Sequence, residues 1–193
     1  MLSNKLSKYN IILASGSPRR QQFFKDLNLD FEIRLKEVDE VYPEHLKAKE
    51  ITDYLADLKS RAFDNELTEQ DLLITSDTIV WFENKALGKP KTYEDAFKML
   101  KSMAGKKHEV ITSISIKSKN FQQIVNDTTT VFFKELTDDE IHYYIENYRP
   151  YDKAGAYGIQ EWIGKIGISK IEGSYFNVVG LPTHQLYKEL MKL

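Results

Sequence analysis

The chain has 193 residues, 27 of them basic and 29 acidic, for a formal net charge of −2, and it has no cysteine. The length predicts one domain, residues 1–193, with a sizeable core, and the balanced charge speaks against a nucleic-acid partner. The lack of thiols excludes a disulfide framework, thiolate zinc and a cysteine nucleophile; no apolar run approaches the roughly 18 residues of a membrane span, so a cytoplasmic protein without a membrane partner is expected.

Met1 to Asn10 is polar and mixed in charge, without the apolar core of a signal peptide. Ile11 to Ala14 is a short apolar run that stops at Ser15-Gly16-Ser17-Pro18, and Pro18 suits the first position of a helix through Leu27. Phe31 to Leu35 alternates apolar and polar residues, as a half-buried strand would, before an acidic loop, Glu37-Val38-Asp39-Glu40. From His45 to Phe63, Leu46, Ile51, Leu55, Leu58 and Ala62 keep to one helical face. Leu72 to Phe82 reads as a central strand interrupted by the polar Ser76-Asp77-Thr78.

Tyr93 to Met103 is patterned as a helix ending at Gly105, and Glu109–Lys117 with Gln123–Lys134 predicts a hairpin turning near Ser118-Lys119-Asn120. Thr137 with Glu140 forms a capping box for a helix through Asn147. Two further strands are expected on either side of Glu172-Gly173, and Pro182 starts a C-terminal helix. Strands and helices alternate early and strands cluster later, which predicts an α/β fold: a mixed, twisted sheet in two lobes with a central cleft.

Several segments can carry chemistry. In Ser15-Gly16-Ser17-Pro18-Arg19-Arg20, small hydroxyl residues lead into a helix bearing two arginines, a pattern suited to phosphate; an N-capped helix with surface arginines would read the same way. Asp77 lies in an otherwise apolar strand, where an ionised carboxylate is costly unless it meets a metal or a cation; capping a turn is the plainer alternative. Asp39 and Glu40 can supply hard oxygen ligands for magnesium or manganese, or form a solvated acidic loop. Lys59 and Lys89 are uninformative alone, and the stretches Asp152–Gln160 and Gly173–Pro182 have the composition of shaped loops.

Together these blocks resemble the Maf family, named for septum formation inhibition and related in fold to the house-cleaning inosine triphosphate pyrophosphatases. The resemblance rests on Leu13–Arg20, Ser76-Asp77-Thr78-Ile79-Val80, Leu87-Gly88-Lys89-Pro90, Asp152–Gln160 and Gly173–Pro182, in family order and spacing, and it runs from about Ile11 to the last helix. Ser76 stands where alanine is usual, and Glu161 follows Gln160 where many members have glycine, a departure that bears on local loop shape.

The resemblance implies hydrolysis of a nucleoside triphosphate to monophosphate and pyrophosphate with a divalent cation (magnesium, manganese or cobalt). It makes Asp77 the proton acceptor, gives Arg19, Thr78 and Gln160 a part in substrate choice, and places Ser15, Ser17, Arg20, Glu40, Lys59 and Lys89 around the triphosphate and metal, with Glu40 and Asp77 as metal ligands. Gln160 implies the branch acting on dTTP and UTP, because an amide offers both a donor and an acceptor to uracil or thymine, whereas a carboxylate only accepts. The family's name also implies an alternative, a nucleotide-binding regulator of cell division that needs no turnover, and dimers occur among related proteins, so a homodimer is admitted.

Overall fold

The computed structural model describes all residues, Met1–Leu193, and divides into two compact units. The first comprises Met1–Asp77, Thr112–Asp127 and Gly180–Leu193; the second comprises Thr78–Ile111 and Thr128–Val179. The elements in chain order are α1 (Leu2–Lys5), β1 (Asn10–Leu13), α2 (Pro18–Asp26), β2 (Glu32–Ile33), α3 (Lys49–Arg61), β3 (Asp71–Phe82), β4 (Lys85–Leu87), α4 (Tyr93–Met103), β5 (Lys107–Lys117), β6 (Gln122–Phe133), α5 (Asp138–Tyr148), α6 (Trp162–Gly167), β7 (Ile168–Glu172), α7 (Tyr175–Val179) and α8 (Thr183–Leu190).

The sheet is mixed, with strand order β2-β1-β3-β5-β6-β7 and β4 paired to β3. Strand β1 runs parallel to both β2 and β3, whereas the β3/β4 and β6/β7 pairs are antiparallel. The fold is thus the mixed α/β architecture expected from the alternation of patterns.

In the first unit, successive strand residues feed opposite faces of the sheet. Ile11, Leu13, Leu72 and Ile74 pack with Leu2, Leu6, Phe24, Leu186 and Leu190, while Ile12 and Leu73 pack with Phe63 and Leu67. Each fully buried aliphatic side chain of this kind contributes on the order of 1.5–3 kcal/mol. Helix α3 meets the sheet partly through polar groups: Thr75 Oγ1 donates to the Ala56 carbonyl at 2.6 Å, and Ser113 Oγ lies 2.6 Å from both Thr52 Oγ1 and Asp53 Oδ1.

The second unit is built around Val80, Phe82, Leu100, Met103, Val131, Phe133, Ile141, Tyr144 and Ile163, with helices α4 and α5 supplying apolar stripes. Both helices open on capping boxes, Thr92 with Asp95 and Thr137 with Glu140.

The structure corrects three expectations. Only one strand adjoins Glu172-Gly173: β7 ends at Glu172, and α7 follows it. Gly173 turns at φ +128°, Ser174 N donates to Thr129 Oγ1, and the buried Asn177 amide donates to the Val110 carbonyl and Thr129 Oγ1, contacts that override the strand preference of Val178 and Val179. The strand expected over Phe31–Leu35 shrinks to Glu32–Ile33 at the end of the strand order, with Ile33 and Leu35 exposed. The helix expected from His45 begins at Lys49, after Ala48 at φ +48°. Ahead of β1, the short helix α1 and the turn after it bury Leu2 and Leu6, a segment for which the sequence pattern assigns no element.

Candidate active site

The loop after β1 is held by its own hydroxyls. Ser17 N donates to Ser15 Oγ at 3.3 Å, and Ser17 Oγ, as N-cap of α2, accepts from Arg20 N. Pro18 occupies the first helical turn, as expected. A glycine at position 16 leaves the backbone open, since the nearest atom to a Cβ there would be Leu35 Cδ1 at 3.8 Å.

The two arginines differ. Arg20 Nε donates to the Gly180 carbonyl at 2.8 Å and its Nη1 to the Ser76 carbonyl at 3.0 Å, so this guanidinium ties the start of α2 to β3 and to the chain ahead of α8. Burial lowers its pKa, opposed by the negative charges of Asp77 and Glu40 and reinforced by Arg19. Arg19 is half-buried, at the first turn of the same helix.

Asp77 ends the first unit's part of β3 and is 5% exposed. Lys59 Nζ, from the last turn of α3, donates to Asp77 Oδ1 at 2.6 Å and pairs with Glu40 Oε1 at 2.9 Å. The other oxygen, Asp77 Oδ2, is buried with no hydrogen-bond partner in the protein, as is Ser76 Oγ. A buried carboxylate oxygen left open in this way suits a water, a cation or a substrate proton. The Thr75 bond to Ala56 fixes α3 against β3 two residues before Asp77, setting the height at which Lys59 meets it.

In the first unit, then, Lys59 brings Glu40 and Asp77 to one ammonium, and their charges reach Arg20, the N-cap partner of Ser17. Thr78, Lys89 and Gln160 belong to the second unit. There the Gly155 N–H donates to the Gly88 carbonyl at 3.0 Å, coupling the loop that leads to Gln160 to the segment that carries Lys89. Lys89 and Gln160 are exposed and Thr78 is half-buried. Lys153, Tyr144 and Glu161 meet around Gly158; the sequence marks Glu161 only as a departure bearing on loop shape and gives Lys153 and Tyr144 no role of their own.

One α/β unit thus holds a capped helix start with two arginines and, within reach of the Arg20 charge, a cation-held carboxylate with an open oxygen. The chain belongs to the Maf family: the family's profile, described as Maf-like protein, matches residues 10–193. Among its relatives is the dTTP/UTP pyrophosphatase of Flavobacterium johnsoniae, 64% identical over 193 residues and covering 100% of both chains. Others are the dTTP/UTP pyrophosphatases of Flavobacterium psychrophilum, 60% identical over 99% of this chain and 98% of that one, and of Bacteroides fragilis, 48% identical over 100% of each. A solved structure it resembles is the Staphylococcus aureus Ham1 protein, with TM-score 0.49 and 17% identity over 65% of this chain and 72% of that one. No helix is long and apolar enough to cross a membrane.

Proposed function

We propose that the protein is a nucleoside triphosphate pyrophosphatase that converts dTTP and UTP to the monophosphate and pyrophosphate. The observation that supports this most is Asp77, with Oδ1 on Lys59 and Oδ2 buried and open. Naming of full-length relatives as dTTP/UTP pyrophosphatases supports the substrate.

In this reading Ser15, Ser17, Arg19, Arg20, Lys59 and Lys89 hold the triphosphate, which carries roughly four negative charges. Asp77 Oδ2 accepts a proton from water as its oxygen bonds to the α-phosphorus; the bond from that phosphorus to the bridging oxygen of the β-phosphate breaks, and pyrophosphate leaves with the electron pair. Lys59 keeps Asp77 oriented and offsets its charge. Glu40 and Asp77 would hold a divalent cation, magnesium, manganese or cobalt. Two carboxylates on one ammonium, one with an open oxygen, fit an ion that takes few protein ligands and completes its shell with phosphate oxygens and water. Such an ion supplies neutralisation of phosphate charge. Thr78 and Gln160 choose the base, the Gln160 amide matching the O4 and N3–H of uracil or thymine. We place the protein in the cytoplasm.

A product-resolved assay with each cation tests the proposal. Pyrophosphate from dTTP or UTP, with no orthophosphate, is expected; orthophosphate alone, or no turnover of any nucleotide, overturns it.

A further inference from the structure

The resemblance block Asp152–Gln160 in the second unit ends on Gln160, an exposed side chain flanked by tightly bonded and packed neighbours. Ile159 is 6% exposed, and its carbonyl lies so close to Gly164 that a Cβ there would come within 1.8 Å of the oxygen. Glu161 N donates to the Gly158 carbonyl at 3.0 Å. The Gly158 N–H in turn donates to the hydroxyl of Tyr144, a side chain from the middle of α5 with no exposed surface, at 3.0 Å.

The same Tyr144 hydroxyl donates to Glu161 Oε2, and Glu161 Oε1 pairs at 3.1 Å with Lys153, whose side chain is 8% exposed and also meets Asp152 Oδ1 at 2.7 Å. Burial, and then the Glu161 carboxylate, raise the tyrosine pKa, so the hydroxyl stays protonated and remains a donor. A Cβ at position 158 would lie 2.9 Å from Glu161 Cδ and 3.0 Å from Lys153 Cε, so the two clasped side chains would have to shift to admit it.

We propose that Tyr144, Glu161 and Lys153 form a clasp that fixes the backbone on either side of Gln160 and thereby sets the direction in which its amide is presented to the nucleobase. They are positioning residues, acting through Gln160, and the inference rests on the functional reading above. An unclasped amide sweeps a wider arc, and loss of about an ångström in placement at a recognition group costs on the order of 10²-fold. Base choice falls first, because it depends on the angle of two hydrogen bonds. Hydrolysis of whichever nucleotide is bound falls less.

The test is a double-mutant cycle with Tyr144→Phe and Gln160→Ala. Tyr144→Phe removes the hydroxyl with little change of volume; Glu161→Gln keeps an acceptor for the tyrosine and serves as the conservative partner. For Tyr144→Phe we expect the ratio of kcat/KM for dTTP over CTP to fall about 10- to 100-fold, and for Glu161→Gln less. In the Gln160→Ala background Tyr144→Phe should change that ratio no further. Amide exchange at Gly158, followed by NMR, should quicken at least about tenfold in Tyr144→Phe. Equal losses in both backgrounds, an unchanged ratio, or unchanged exchange at Gly158 overturn the clasp. A wild-type protein inert toward every nucleotide removes the functional reading instead, and the Gly158 exchange still decides whether Tyr144 holds the segment.

Discussion

Lys59 Nζ sits 2.6 Å from Asp77 Oδ1, and the partner oxygen Oδ2 is buried without a hydrogen bond. A buried carboxylate is stable in an ionised state only with compensation, and the lysine supplies it at one oxygen alone. The half-satisfied carboxylate is the kind of local rule-breaking that accompanies function, because filling the second oxygen from the protein would stabilise the fold and close the site.

Asp77→Asn is expected to lower turnover of dTTP and UTP by about 10²- to 10⁴-fold, the usual contribution of a proton acceptor. Circular dichroism should show a folded protein, and calorimetry with the nucleotide should still show binding. Turnover at the wild-type rate would remove Asp77 from the role of base.

Gln160→Glu replaces a side chain that both donates and accepts by one that only accepts, leaving an acceptor on the pyrimidine facing another acceptor. Specificity built on such polar matching is steep, so kcat/KM for dTTP and UTP should drop on the order of 10²-fold or more, with kcat for any retained substrate less affected. Parallel kinetics on a panel of ordinary nucleotides measure this; an unaltered preference would mean that the base is read elsewhere.

What was legible in the sequence was what is local. Ser15 to Arg20 announces a capped helix start because cap, proline and glycine lie within one turn, and Asp77 stands out because its neighbours are β-branched. That Lys59 meets Asp77 was not readable from residue types: the two are brought together only when α3 packs on β3, and the resemblance alone put Lys59 near the phosphates. Helix α6 was missed because Gly164 and Gly167 interrupt its pattern, although Gly164 is there to clear the Ile159 carbonyl. Strand β4 was missed because three residues carry too little pattern.

His108 makes stability depend on pH in a definite direction. It is 3% exposed, its Nε2 lies 2.7 Å from the Tyr157 hydroxyl, and burial lowers its pKa from 6.5 to about 4. The unfolded chain therefore binds a proton that the folded chain refuses, so this contribution is complete above about pH 6.5 and is lost as pH falls toward 4, up to about 3 kcal/mol. Urea unfolding of the wild type and of His108→Gln at pH 7 and pH 4.5 isolates it: the wild type should lose about 2 kcal/mol more than the variant. Equal losses would mean that His108 is protonated in the folded protein.

Gly155 and Gly88 are bonded through N–H and carbonyl, yet they should respond oppositely to alanine. Gly155 has φ +68°, and a Cβ there would lie 2.8 Å from Val80 Cγ2, on a side chain only 2% exposed and packed in the core of the second unit. A left-handed L-residue costs about 1–2 kcal/mol and overpacking about 1–3, so Gly155→Ala should destabilise by roughly 2–5 kcal/mol. Nothing lies within 4 Å of a Cβ at Gly88, and its backbone needs no left-handed turn, so Gly88→Ala should stay within about 0.5 kcal/mol of wild type. Because the Gly155 N–H also anchors the segment carrying Lys89, Gly155→Ala should lower kcat/KM at temperatures where it remains folded. Denaturant unfolding of both variants decides the matter: a Gly155→Ala protein as stable as wild type would mean that Val80 does not occupy the place the packing gives it.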